Sequence, residues 1–402
     1  MSVDPEKSDS AAASWYRWHG IVSQPNYRII EYFKRYGNPV DPSVLDNCST
    51  KVKEYIYRAF GPITLASAAA FLVNRATLPQ MGLIGIGFLA LEIGRTALHL
   101  LGFAAQKKNH LYVKGDLPPI HSENPKLMSF NVLGFPAGMN YTHGGGRPFR
   151  HRFPEIAKTI RAEKPDIVVL QECLMDASVT EAFVNAFKSE YAHFYTHNGP
   201  NTLGLESGLL VMTKCHVIDY QFTPFDNNDW YFKRGFATLK IPASNKGRPA
   251  FAVIGTHMEA GSSSEDSKKR QDQLSQIRAH ANTLSGYYPD VYIAGDLNID
   301  AGQEAERKLL NDYLEGVNAP PKPATCTNEL NQIVHPNEKR PTKEEWLDQI
   351  AQIRINKKPE LVLSEVTVIP VYKFDGKTDS RKALSDHNPI IATISIPTSV
   401  EK

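Results

Sequence analysis

From residue 127 onward the chain alternates between two hydrophobic periods, and this alternation restricts the fold more than any other feature. Short apolar or β-branched runs bounded by turn residues occur at 127–132, 167–170, 208–212, 236–241, 251–255, 291–294 and 390–396. Amphipathic spacing of helical period lies between some of them, at 154–163, 179–190, 267–284 and 304–314. No internal repeat is visible. Such a mixture predicts an α/β or α+β domain whose sheets are covered by helices.

Polar groups recur where these runs end, which is where a layered fold presents side chains to a shared cleft. Asn131 closes the first run and Glu172 the second. His257 follows GT at 255–256, and Asp296 and Asn298 stand two apart, on one face, in GDLN (295–298). Asp386 and His387 precede the last run in SDHNP (385–389). Singly, a carboxylate or a histidine at a strand end is more often structural. Together they form an oxygen-rich ligand set without thiolates, which suits a hard divalent cation such as Mg²⁺ or Mn²⁺. Histidines beside such a site fit acid–base chemistry near neutral pH, and the combination describes phosphoester hydrolysis.

QE (171–172), GTH (255–257), GDLN (295–298) and SDHNP (385–389), in that order, resemble the endonuclease/exonuclease/phosphatase superfamily. Within it, SGLLVMTK (207–214), KRGFATLKI (233–241) followed by GTHMEA (255–260), and RQDQL (270–274) are most similar to Mg-dependent neutral sphingomyelinases. The resemblance covers most of residues 127–397. It implies a four-layer α/β sandwich of two packed mixed sheets flanked by helices, with the site at one edge. It also implies that Glu172 ligates Mg²⁺ with Asn131 beside it, and that Asp386 completes the metal-side carboxylates. Asp296 and Asn298 would position the attacking water, His387 would be the general base, and His257 would bind phosphate and assist the leaving group. The activity implied is hydrolysis of sphingomyelin to ceramide and phosphocholine, by in-line attack of water without a covalent enzyme intermediate.

The family's base-orienting Asp has one counterpart here, Asp348 in EEWLDQI (344–350), where Gln349 replaces the usual aromatic or aliphatic residue. The same stretch also reads as a helix start with Thr342 as N-cap. Glu259 stands where sphingomyelinases usually carry Gln. Lys233, Glu259 and Arg147 are the candidate substrate contacts. Arg147 belongs to a glycine-rich basic loop (141–152) that reads equally as a phosphate cradle or an exposed turn. The HGGG within that loop lacks a following GxSxG elbow, which excludes an esterase. Aromatic residues at 225–232 read either as lipid-contacting or as core.

The first 120 residues differ in character. Apolar segments at 59–73 and 81–105 are flanked by basic residues. The first is shorter than the roughly 20 residues that span a bilayer. The second carries Glu92 and Arg95, costly in lipid by about 2.5–3.5 kcal/mol each, although a spacing of three lets them pair. A hairpin dipping into or spanning a membrane, an interfacial pair and a soluble helical subdomain remain open, with membrane association expected. The division predicted is therefore an N-terminal helical region, 1–120, and a catalytic domain, 121–402. No signal peptide is recognisable at the start, so a membrane-associated, cytosol-facing enzyme is expected rather than a secreted one. The 45 basic and 43 acidic residues give a net charge of +2, which disfavours nucleic acid as the partner. Four scattered cysteines predict no disulfide framework. Alternatives on the same site are a nuclease, a phosphoinositide phosphatase or another phospholipase C-like activity. The non-enzymatic one is a membrane-tethered scaffold.

Overall fold

The computed structural model describes residues 108–134, 149–173, 177–199, 206–228, 233–315, 317, 324–327, 344–355, 359–371 and 384–397. The segments 59–73 and 81–105, Arg147 and Cys48 lie outside the described residues. Among the described residues, no helix is long and apolar enough to cross a membrane.

In chain order the elements are β1 (Leu111–Lys114), β2 (Lys126–Asn131), α1 (Phe149–Glu163), β3 (Ile167–Gln171), α2 (Ala177–Phe187), β4 (His193–Thr196), β5 (Leu210–Thr213) and β6 (Asp219–Pro224). There follow β7 (Gly235–Ile241), β8 (Phe251–His257), α3 (Ser264–Leu284), β9 (Asp290–Asp296), α4 (Glu304–Tyr313) and β10 (Leu314–Glu315). The last are β11 (Cys326–Thr327), β12 (Glu344–Glu345), β13 (Asp348–Ile353), β14 (Val362–Leu363), β15 (Thr367–Val368) and β16 (Ile390–Ser395). One sheet runs β1-β4-β5-β3-β2-β16-β14, with β15 also on β16; the other runs β10-β13-β9-β8-β7-β6. Both are mixed. β2 pairs parallel with β3 across α1, and β8 pairs parallel with β9 across α3.

Strand periodicity accounts for the layering. Leu127, Ile167, Val169 and Val211 from the first sheet meet Leu239, Phe251, Val253, Tyr292 and Ala294 from the second in one buried cluster. The alternate residues turn outward. Met128, Phe130, Val168 and Leu170 pack with Ile156, Ile160, Phe183 and Phe187 of α1 and α2. On the other side, Ala252, Ile254, Val291 and Ile293 pack with Leu274, Ile277, Ala281 and Leu310 of α3 and α4. Four layers result, α/β/β/α. The central strands read as unbroken apolar runs because both their faces are buried. Each fully buried side chain of this size contributes about 1.5–3 kcal/mol relative to exposure.

Where sequence and structure differ, the reasons are local. Helix α1 starts at Phe149, ahead of the predicted 154, and runs through Pro154. Packing of Phe149 on Phe153 and Phe183, at centroid distances of 5.5 and 5.8 Å, supports the extra turn. Of the two readings of 344–350, strand and helix start, the structure has the strand: Asp348–Gln352 of β13 pair with β9. Helix α3 begins with a capping box between Ser263 and Asp266. Cys173, Cys215 and Cys326 are buried.

Close approach of the layers explains one motif glycine. A Cβ on Gly255 would lie 2.8 Å from a methyl of Val169 in the opposite sheet. The GTH strand therefore nears β3 one turn of the pleat before its histidine.

Candidate active site

The inward-facing rows that build the inter-sheet core continue to one end of the sandwich, and there they become polar. On β2 the inner row is Leu127, Ser129, Asn131; on β8 it is Phe251, Val253, Gly255, His257; on β9 it is Tyr292, Ala294, Asp296. Ladder register aligns His257 with Asp296, and Asp296 with Asp348. Three ionisable side chains thus stand side by side across three paired strands. His257 and Asp296 lie at the carboxyl end of the parallel pair β8–β9, where open α/β sheets place their ligand crevices, and Asp348 opens the antiparallel β13 beside them.

The contacts are short and specific. His387 Nδ1 lies 2.7 Å from Asp348 Oδ2, and both side chains are buried. His387 Nε2 and His257 Nε2 point at one oxygen, Asp296 Oδ2, from 3.8 and 3.7 Å. Those separations exceed hydrogen-bond length. Asn131 Nδ2 donates to the same oxygen at 3.1 Å and to Glu172 Oε1 at 3.0 Å, joining the two sheets. The backbone N–H of Asn298 donates to Asp296 Oδ1 at 2.9 Å, and its side-chain amide donates to the Met258 carbonyl. Ser385 Oγ donates to the Asn131 carbonyl at 2.7 Å and lies 3.2 Å from Asp386 Oδ1. Thr325 Oγ1 accepts from the N–H groups of Leu347 and Asp348, while its carbonyl accepts from Asn388 N–H. Thr325 therefore holds the two segments that carry the Asp348–His387 pair.

Backbone conformation adds to this. Glu172 (φ 58°) and Asn298 (φ 53°) occupy the left-handed region. For a residue other than glycine this costs about 1–3 kcal/mol, and it persists where surrounding structure enforces it. The turn at Glu172 brings its side chain back to Asn131 after the strand has ended.

Electrostatics divide the site. Burial, and then the Asp386 carboxylate, raise Glu172 to about 7 despite the hydrogen bond from Asn131. Its Oε2 is buried without a hydrogen-bond partner. Burial alone would raise Asp296 as well, but His387 and His257 outweigh it and hold that carboxyl below its usual range. Burial pulls His387 down, yet Asp348, Cys326 and Asp296 together carry it well above the ordinary imidazole value. Burial and then Arg234 lower His257 to about 3, leaving a neutral ring.

These features test where a cation fits. Asp296, Asp348 and His387 offer donor atoms within 4.8 Å of one another, a spacing that a metal can span. There, however, an imidazole already bonds Asp348, although Asp348 Oδ1, like Glu172 Oε2, is buried without a hydrogen-bond partner. On the other side, Glu172 keeps an orphaned buried oxygen beside a second carboxylate, a deficit of positive charge that suits a hard divalent ion. The carboxylates of Glu172 and Asp386 therefore fit a cation better, with Asn131 beside them turning its amide N–H toward Glu172.

The sequence also missed a group. Arg234, directly before Gly235, donates through Nη1 to the Met258 carbonyl at 2.5 Å, and its Nε lies 3.9 Å from Glu259 Oε2. Lys233, half-buried, occupies the preceding position. Neighbours in extended chain project to opposite sides, so the motif KRGF brings one of its two cations to His257 and Glu259. Signal for the choice lay only in the spacing to Gly235.

The model of the endonuclease/exonuclease/phosphatase family matches residues 128–354. No curated protein matches the chain by sequence. Among solved structures, the beta toxin of Staphylococcus aureus is similar at TM-score 0.53 and 23% identity, covering 67% of this chain and 99% of the toxin's. A mutant of that toxin with bound magnesium ions scores 0.50, at the same identity and coverage. Sphingomyelinase C from Streptomyces griseocarneus scores 0.48 at 22% identity, over 68% of this chain and 99% of that one. D. rerio TDP2 complexed with a single-strand DNA product scores 0.49 at 16% identity, over 68% and 100%. At these identities the likeness is one of fold. Because the family model spans more than half of the sequence, the chain belongs to the endonuclease/exonuclease/phosphatase family.

Proposed function

We propose that this protein is a Mg²⁺-dependent phosphodiesterase that hydrolyses sphingomyelin to ceramide and phosphocholine at a membrane surface. The observation that carries the phosphodiesterase reading is the convergence of His387, held by Asp348, and His257 on Asp296, opposite the electron-rich pocket of Glu172 and Asn131. Support for the lipid substrate is weaker in kind: the KRGF and GTHMEA pairing, and the apolar segments at 59–73 and 81–105.

The chain's own groups divide the work. Asp348 fixes the His387 tautomer with Nε2 facing the cleft, where the ring takes a proton from water. Asp296 and Asn298 orient that water. As its oxygen bonds to phosphorus, the P–O bond to ceramide breaks and the departing alkoxide is protonated from solvent. His257, neutral, donates one hydrogen bond to a phosphoryl oxygen, and Arg234 adds positive charge nearby. Glu172, Asn131 and Asp386 would hold Mg²⁺, with Mn²⁺ as a substitute. When bound, such an ion supplies Lewis-acid polarisation of the phosphoryl group. Lys233, Glu259 and Arg147 are proposed substrate contacts.

Phosphocholine release from sphingomyelin in mixed micelles, with Mg²⁺ and with EDTA, tests the proposal against phosphatidylcholine and abasic-site DNA as parallel substrates. Selective, chelator-sensitive cleavage of sphingomyelin is expected. Preference for the DNA or the glycerolipid would keep the site and overturn the substrate.

A further inference from the structure

Arg152, in the first turns of α1, is 3% exposed. Its guanidinium donates to three backbone carbonyls: Val132 at 3.0 Å through Nη1, Leu384 through Nη1, and Leu133 through Nη2. Val132 and Leu133 directly follow Asn131. Leu384 directly precedes Ser385, Asp386 and His387. Leu133 itself has a φ of 45°, and its N–H donates to Asn131 Oδ1 at 3.1 Å, so the turn that Arg152 grips is the turn that aims the Asn131 amide.

We propose that Arg152 is a positioning residue that clamps the two loops carrying Asn131 and the Asp386–His387 pair, and thereby sets the distance between the metal-side acceptors and the base. The inference rests on the site reading above. Burying a guanidinium is expensive, and an apolar side chain of similar volume is often as stable or more so. Packing alone therefore gives no reason for Arg here. Geometry gives one: Nη1 bridges the carbonyls of Val132 and Leu384, from two distant chain segments, while Nη2 of the same planar fork holds Leu133, a three-carbonyl grip that a lysine's single nitrogen does not reproduce in that geometry. Ser385 completes the clamp by bonding the Asn131 carbonyl from the other loop.

The test compares Arg152→Lys, Arg152→Met and Arg152→Ala in the full chain, with Arg161→Lys, an exposed cation on the same helix, as control. Turnover of bis(p-nitrophenyl) phosphate with Mg²⁺, Mn²⁺ affinity by electron paramagnetic resonance, and melting temperature are read for each. We expect Arg152→Lys to lose about 100-fold in kcat, the scale of a displacement near 1 Å, with little change in KM. Mn²⁺ should bind about tenfold more weakly, the scale seen when a ligand's support is lost. Melting temperature should fall by less than the activity loss requires, and millimolar guanidinium should restore kcat to Arg152→Ala. The proposal fails if Arg152→Lys keeps wild-type kcat and Mn²⁺ affinity. It also fails if activity is lost only in step with unfolding and guanidinium restores nothing. Weakened Mn²⁺ binding in variants of an enzyme that never cleaves the diester would uphold the clamp and sink the phosphodiesterase reading instead.

Discussion

Along β8, β9 and β13 each acid of the site has an imidazole near it: Asp348 bonds His387, and Asp296 faces both histidines. Beyond the end of β3, Glu172 has a second carboxylate and the Asn131 amide as neighbours. Glu172 stands beside Asp386, shares Asn131 with Asp296, and is raised to about 7 in consequence. Asp296, equally buried, is lowered. Two carboxylates joined by one asparagine thus diverge because one side closes its charge internally and the other leaves it open. One cleft thus holds a bonded histidine–carboxylate pair on one side and, on the other, neighbouring carboxylates whose charge suits a cation.

The largest effect is expected at His387. Replacing it with alanine should lower kcat by roughly 10³-fold, within the range for loss of a general base, while Mn²⁺ affinity stays near normal. A matching loss of metal affinity would mean that the two sides are one unit. Next in size, Asp348→Asn should cost about 100-fold, with kcat/KM rising with pH as His387 loses its proton. Because Asp348 raises the His387 pKa, its removal should move the acidic limb of the profile to lower pH. An unmoved limb would assign that limb to another group.

Glu172→Gln probes the open side. The carboxyl is raised in the folded protein, so without metal it contributes stability below about pH 4.5 that is lost as pH rises through about 7. Chelated wild type should therefore lose melting temperature across that window, and Mg²⁺ should restore it with proton release. In Glu172→Gln both effects should vanish. A calorimetric titration that finds no proton release in wild type would contradict the assignment. The smallest effect sharpens the choice within KRGF: Arg234→Ala should reduce kcat/KM by about tenfold, the scale of one charge-assisted hydrogen bond, and Lys233→Ala by less. The reverse order would place the wrong cation at His257.

Much of the site was legible because its polar groups stand at the ends of apolar runs. Asn131, Glu172, His257 and Asp296 follow or close such runs, His387 stands just before one, and the structure brings all five together. Among the longer strands, β1, β4 and β6 escaped notice. Their sequences, LYVK, HFYT and DYQFTP, mix polar with apolar residues too evenly to announce a strand. Asp348 was ambiguous for a related reason: EEWLDQI satisfies a helix start as well as a strand, and only pairing with β9, some fifty residues away, decides between them. Arg152 and Arg234 were illegible as functional groups because their partners are backbone carbonyls, which leave no trace in side-chain motifs.

One consequence follows from the row in which His257, Asp296 and Asp348 face each other across three strands. A slip of β13 by a single residue would present Gln349 in place of Asp348 and turn the acid to the opposite face. Partial catalytic competence is therefore not available to a chain whose helices have formed but whose last ladder has not. During refolding, the return of turnover should lag the return of helical signal and coincide with protection of the Gly295 amide against hydrogen exchange. The enzyme carries in its own activity a clock for the closing of that seam.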